Sequence, residues 1–233
     1  LLQTLNQCGV ADNTIVVFTA DHGLSLNDHW QWRHGPFLFD EVIRIPMIWR
    51  APGVCPRKTG SAGLQGADPD ERGRGAAPCG CAGAPPSGTD PAQVEQVDLM
   101  PTLLQLCGVD TPPGVQGRSL VPLLRGEPGA RGQEAVLIQE RHAPDLAARD
   151  LDPQLVWQVG IRTAEWKLIH YVDYRDAGER FGGELYDLRH DPGEFVNLWS
   201  EAGCLSQRRE LEALLLDRLA ATQDPLPVNE HDY

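Results

Sequence analysis

Asp21 and His22 set a carboxylate beside an imidazole directly after the apolar run Ile15-Val16-Val17-Phe18, within Thr19-Ala20-Asp21-His22-Gly23. In open α/β sheets, side chains at the carboxyl ends of strands converge on the crevice where ligands bind. An Asp oxygen and a His nitrogen at such a place can take hold of one divalent cation. Gly23 would permit the sharp backbone needed to aim both. A blander reading stays open, in which Asp21 caps the next segment and His22 is a hydrogen-bonded core residue. His29, close by, reads as packing beside Trp30 and Trp32. Cys79-Gly80-Cys81 offers two ligands where a structural metal takes four, so these thiols read as incidental.

Elements must carry that pair. Asn13–Thr19 reads as a strand, continuously apolar and β-branched, suited to the middle of a parallel sheet covered on both faces. Ile43–Trp49 reads as a second strand, and Pro46 places it near an edge or a bulge because it removes a ladder donor. Leu1, Leu2 and Leu5 share a helical face ahead of Gly9. Asp98–Gly108 repeats the device, with Asp98 as N-cap, Pro101 in the first turn and Gly108 as C-cap. Both helices end Leu-x-x-Cys-Gly-Val, which predicts a small buried cysteine, Cys8 or Cys107, just before the cap. Between them, residues 51–91 hold 16 Gly or Pro among 41 residues and almost no large apolar side chains. Such a stretch cannot offset the entropy of ordering and is expected to be a mobile surface insertion.

The last hundred residues read as antiparallel. Ala135–Glu140, Leu155–Arg162, Lys167–Asp173 and Glu184–Leu188 are the expected strands, with Thr163–Trp166 as a hairpin turn. Gln207–Thr222 is an amphipathic helix with Leu211, Leu214, Leu215 and Leu219 on one face. The chain thus divides into residues 1–126, an α/β unit carrying the insertion, and 127–233, a small α+β unit. The boundary falls near Gly126–Gly132. Arg44 is expected to pair with Asp40 or Glu41. His142, His170, His190 and His231 show no partner spacing, and Asn229–Tyr233 reads as a solvated tail.

Bulk composition narrows the partners. With 20 Lys+Arg against 33 Asp+Glu, the formal charge is −13, which argues against a polyanion, so no nucleic-acid partner is expected. No apolar run reaches the roughly 20 residues of a bilayer span, so no membrane partner is expected either. Six cysteines without a C-x-x-C pair favour a reducing, cytoplasmic compartment. The chain opens inside a helix with no basic-then-apolar leader, as expected of a piece of something longer.

Longer stretches carry a resemblance. Asp12-Asn13-Thr14-Ile15-Val16-Val17-Phe18-Thr19-x-Asp21-His22-Gly23 resembles the late metal-site region of the sulfatases, in the alkaline-phosphatase-like superfamily. Asn27-Asp28-His29-x-x-Trp32-x-x-Gly35-Pro36 and Phe39-Asp40-Glu41-x-Ile43-Arg44-Ile45-Pro46 resemble the family's next segments. Val97–Leu104 is similar to the helix after the family's insertion, and Gly114–Leu120 to the block beyond that helix. Ile161-Arg162-Thr163-x-x-Trp166-Lys167-Leu168-Ile169 resembles its C-terminal sheet. So does Glu184-Leu185-Tyr186-Asp187-Leu188-x-x-Asp191-Pro192-x-Glu194-x-x-Asn197-Leu198. The resemblance implies an α/β fold of alkaline-phosphatase-like type. Its parts are a mixed sheet flanked by helices and a small C-terminal α+β subdomain of four antiparallel strands plus a helix.

It also implies a chemistry: hydrolysis of a small-molecule sulfate ester. Asp21 and His22 would complete a site for a divalent metal, Ca2+ in a sulfatase, whose other two acidic ligands lie in the amino-terminal half. The family's nucleophile is a formylglycine made from the Cys or Ser of a C/S-x-P-x-R element, and this sequence contains none. The chain therefore reads as a carboxyl-terminal portion that needs the missing amino-terminal half and is inactive alone. Where the family places a sulfate-binding lysine, twelve residues past the metal-site His, this chain has His34; its lysines are Lys58 and Lys167. His34, partly protonated near its reference pKa of about 6.5, is expected to contact the sulfate with help from Arg33 and to act as acid to the leaving group. A structural His34 is the alternative. At the level of the whole chain, a phosphodiesterase or phosphonate monoester hydrolase using Mn2+ or Zn2+ stays open. So does a non-catalytic remnant that binds a partner.

Overall fold

The computed structural model describes residues 1–30, 37–54, 92–141, 157–173 and 179–222. Residues 55–91, the greater part of the expected insertion, lie outside the described residues, as do Arg33, His34, His142 and the tail with His231. Helix α1 (Leu2–Gln7) ends where expected, with Gly9 in the left-handed region at φ +71°. Strand β1 (Val16–Thr19) is shorter than predicted because a 3-10 turn over Ala11–Asn13 occupies its expected start. Helix α2 (Asp40–Ile43) is a single turn, and strand β2 (Met47–Arg50) begins immediately after Pro46, which therefore costs the ladder nothing.

The strand pairing corrects the parallel expectation. β1 runs antiparallel to β2, with Phe18 opposite Ile48. Phe18 is 62% exposed and Ile48 61%, so among the described residues neither is covered. Helix α3 (Leu99–Leu106) comes after a 3-10 turn, Gln96–Asp98, and Gly108 closes it at φ +70°. Asp98 does not cap α3 with its side chain. It is buried and accepts the Glu95 N–H at 3.0 Å and the Arg118 N–H at 2.8 Å, tying two loops together. Cys8 and Cys107 are exposed rather than buried. Their helices carry apolar side chains that nothing described packs over, including Leu2, Met100 and Leu103.

The second half matches its expectation closely. After helix α4 (Val121–Arg125), strands β3 (Ala135–Arg141), β4 (Trp157–Thr163), β5 (Trp166–Asp173) and β6 (Glu179–Asp187) form one antiparallel sheet in sequence order. Helix α5 (Leu205–Ala221) lies across one face. Leu211 and Leu215, one turn apart, bury against Val159, Ile161, Leu168 and Leu185, with Leu214 and Leu219 at the margin. Burying each such side chain stabilises by roughly 1.5–3 kcal/mol.

Side chains alternate across a strand, so Lys167 points away from α5. It lies opposite Arg162 on β4 and Tyr186 on β6, and its ammonium is fully buried. Two cations side by side on a sheet face repel. The Asp40 carboxylate sits between them: Oδ1 is 2.7 Å from Lys167 Nζ, and Arg162 donates from Nε to Oδ1 at 3.0 Å and from its terminal nitrogen to Oδ2 at 2.8 Å. Lys167 also pairs with Glu194 and donates to Leu38 O at 2.9 Å, while Glu194 accepts the Asp40 N–H at 2.7 Å. Burial would raise the Asp40 carboxyl, but the Arg162 hydrogen bond and the Lys167 charge outweigh it and hold it at about 2. Burial wins at Glu194, pushed up to about 7 with Asp40 adding repulsion, against the opposing pull of Lys167.

Lys167→Met leaves two buried carboxylates without their ammonium. It should cost about 3–5 kcal/mol in urea unfolding. The Glu194 shift has the opposite sign to a usual ion pair: the folded protein holds the extra proton, so that stability is complete below pH 4.5 and disappears as pH rises through 7. The margin of wild type over Glu194→Gln should therefore shrink between those values by on the order of 1–3 kcal/mol. A flat difference from urea unfolding at pH 4.5, 6 and 7.5 would contradict it.

Candidate metal site

Asp21 and His22 occupy the turn that leaves β1. Asp21 Oδ1 accepts the His22 N–H at 2.9 Å, so the aspartate does cap the next residue. The imidazole is not a core group: the His22 side chain is 42% exposed and that of Asp21 85%. His22 Nδ1 lies 2.9 Å from Gly23 O. A carbonyl only accepts, so Nδ1 carries a proton, and in the neutral ring the lone pair is then on Nε2. Nε2 sits beside the carboxylate, 3.7 Å from Asp21 Oδ2. Two ligands about 2.3–2.6 Å from one cation and at right angles are about 3.5 Å apart, so the donor set and its spacing fit a divalent ion. Among the described residues no group of three or more His, Cys, Asp or Glu gathers to hold a metal. Asp21 and His22 can supply two ligands of such a set.

Gly23 is needed for a different reason from the one expected. Its φ is not in the left-handed region. A Cβ there would stand 1.9 Å from Glu41 O, and the Gly23 N–H donates to Val42 O at 2.7 Å. The glycine lets α2 press against the turn. On the other side, Gln96 Nε2 donates to Ala20 O at 3.1 Å.

The loop after this turn is backbone-strained. Leu26, Asn27, His29 and Trp30 all have positive φ, between 45° and 84°, and such positions persist only where packing over-determines them. His29 provides that packing. Its ring stacks on Phe39 at 3.7 Å and on Phe195 at 4.8 Å, with Nε2 3.8 Å from Glu41 Oε1. The packing role expected of His29 is correct, but Phe39 and Phe195 provide it, and Trp30 is exposed. Arg44 pairs loosely with Asp40 at 3.7 Å. His170 and His190 have partners that spacing did not reveal: Glu212 at 3.5 Å and Trp199 edge-on for the first, Asp187 at 3.0 Å for the second. Residue patterns also concealed Gln96 and the Asp40–Lys167–Glu194 cluster. A signal was present, since a lysine set between Trp166 and Leu168-Ile169 in a strand calls for a buried partner.

Comparison with known proteins decides the family. The model for the C-terminal region of N-sulphoglucosamine sulphohydrolase matches residues 82–223, and the sulfatase model matches residues 1–109. The chain belongs to the sulfatase family. The N-acetylglucosamine-6-O-sulfatase of Bacteroides thetaiotaomicron is 31% identical over 217 residues, 92% of this chain and 32% of that protein. A solved structure in complex with its substrate D-glucosamine-2-N,6-O-disulfate superposes with a TM-score of 0.67 at 27% identity, over 99% of this chain and 39% of that one. The phosphonate monoester hydrolase of Agrobacterium radiobacter superposes at 0.68 with 25% identity, over 95% of this chain and 38% of that one. The sulfatase chain thus spans about a third of the length of the curated relative. Its fold is alkaline-phosphatase-like, with the four-stranded sheet and α5 as the C-terminal subdomain. The family generally uses a divalent metal. No helix among the described residues is long and apolar enough to cross a membrane.

Gly23→Ala forces the turn away from α2. It should lower stability by about 1–3 kcal/mol and, with the candidate site displaced, reduce any divalent-cation affinity measured by calorimetry. Wild-type affinity would show that the close approach does not matter to the site.

Proposed function

We propose that this chain supplies the carboxyl-terminal half of the active site of a metal-dependent sulfatase acting on a sulfated sugar. The observation that carries it is the geometry of Asp21 and His22: Nδ1 faces Gly23 O at 2.9 Å, and Nε2 lies 3.7 Å from Asp21 Oδ2. A cation held there, Ca2+ for a sulfate ester, would neutralise charge on the sulfate oxygens. Asp21 and His22 hold it, and Gly23 and Ala20 fix the backbone that aims them. His34, with Arg33, contacts the sulfate and donates a proton to the leaving oxygen. The nucleophile and the remaining acidic ligands come from sequence outside this chain, which contains no C/S-x-P-x-R. The 233 residues alone should turn over no aryl sulfate. The choice of sugar comes from the relatives, which act on or are bound to sulfated glucosamine derivatives.

The likeness to a phosphonate monoester hydrolase favours one second reading, a phosphoryl ester hydrolase loaded with Mn2+ or Zn2+. Parallel assays of the full-length protein on an aryl sulfate, a 6-O-sulfated glucosamine and an aryl phosphodiester, with metal content measured, separate the two. Hydrolysis of the sulfates with bound calcium is expected; preference for the phosphodiester with bound manganese or zinc would establish the rival. Activity on none of the three would leave the remnant reading. His34→Ala should lower kcat/KM for the preferred ester by about 10²–10⁴-fold, and a near-wild-type value would remove His34 from the site.

A further inference from the structure

The backbone on either side of Asp21 and His22 is gripped from two directions, and neither grip belongs to β1. Gln96 holds Ala20 O, and Val42 O holds the Gly23 N–H. Both grips lead to the C-terminal subdomain. Gln96 sits in the 3-10 turn beside Glu95, whose carboxylate accepts the Leu137 N–H of β3 at 2.7 Å and Arg218 of α5 at 2.6 Å. Val42 belongs to α2, whose first residue, Asp40, is fixed by Lys167 of β5, Arg162 of β4 and the carboxylate of Glu194.

We propose that Gln96 and Asp40 are positioning residues for the cation, through which the four-stranded sheet sets the geometry of Asp21 and His22. The proposal rests on the reading of that pair as metal ligands and deepens it. A ligand pair on an exposed turn keeps its aim only if the flanking peptides are held to within about 0.5 Å. Here a peptide oxygen before the pair and a peptide nitrogen after it each have a partner from a different element, and the two elements share one anchor.

The test uses the full-length protein, stripped with EDTA and titrated calorimetrically with calcium and, separately, manganese. Gln96 is exposed, so Gln96→Ala and Gln96→Leu should fold. Each should raise the dissociation constant for the cation that wild type binds by about 2- to 10-fold, the range of one lost hydrogen bond. The melting temperature of the stripped protein should stay within about 1 °C of wild type, a combination that a purely structural role for Gln96 would not give. Asp40→Asn should weaken binding further, and the Gln96 variants decide the matter even where it fails to fold. An unchanged dissociation constant in both Gln96 variants, with Asp21→Asn still impaired, overturns the positioning role and leaves the ligand reading standing. A wild-type protein that binds neither cation, or an Asp21→Asn variant that binds like wild type, overturns both.

Discussion

A single carboxylate, Asp40, lies between two cations that the sheet register forces together. Arg162 and Lys167 face each other on adjacent antiparallel strands, and neither can turn away, because the opposite face of the sheet is filled by the leucines of α5. Without an anion between them the arrangement would combine repulsion with a desolvated ammonium. Asp40 resolves both at once, and Glu194 completes the set by accepting the Asp40 peptide N–H. The cost of desolvating these groups means that the cluster contributes specificity of docking more than net stability.

What the cluster specifies is the place of α2. That one helical turn carries the carbonyls against which Gly23 is pressed and, just ahead of it, the Phe39 ring that stacks on His29. The turn bearing Asp21 and His22, and the strained loop after it, therefore take their positions from a sheet more than 100 residues away in sequence. The candidate site is exposed and short of ligands, yet its backbone is held on both sides, by Gln96 at Ala20 and by Val42 at Gly23.

The sequence made some of this plain and hid the rest for physical reasons. Period-two runs ending in Thr163–Trp166 announced a hairpin, because local turn chemistry and alternation agree there. Leu211, Leu214, Leu215 and Leu219 announced the covering helix in the same way. Asp21-His22-Gly23 was visible as a motif, but the way the His22 ring is turned depends on the contact of Nδ1 with a carbonyl, which no spacing reports. β1 misled: a continuous apolar run is compatible with any buried strand, and its partner among the described residues proved antiparallel. The buried cysteines were a local inference from cap chemistry, which says where a helix stops and nothing about what covers it. Asp40, Lys167 and Glu194 escaped because their partnership is non-local, spanning 122 residues or more between α2 and the groups that hold it.

That separation also orders events during synthesis. Asp40 leaves the ribosome long before Glu194, its peptide partner 154 residues later. At about 5–20 residues per second the interval is on the order of 8–30 s. Throughout it the first turn of α2 lacks the cations that neutralise it, and the Gly23 turn has nothing firm to rest on. Maturation of the Asp21–His22 corner must wait for the carboxyl-terminal strands, so a nascent chain halted before β5 would carry the Asp-His pair but not the scaffold that holds it.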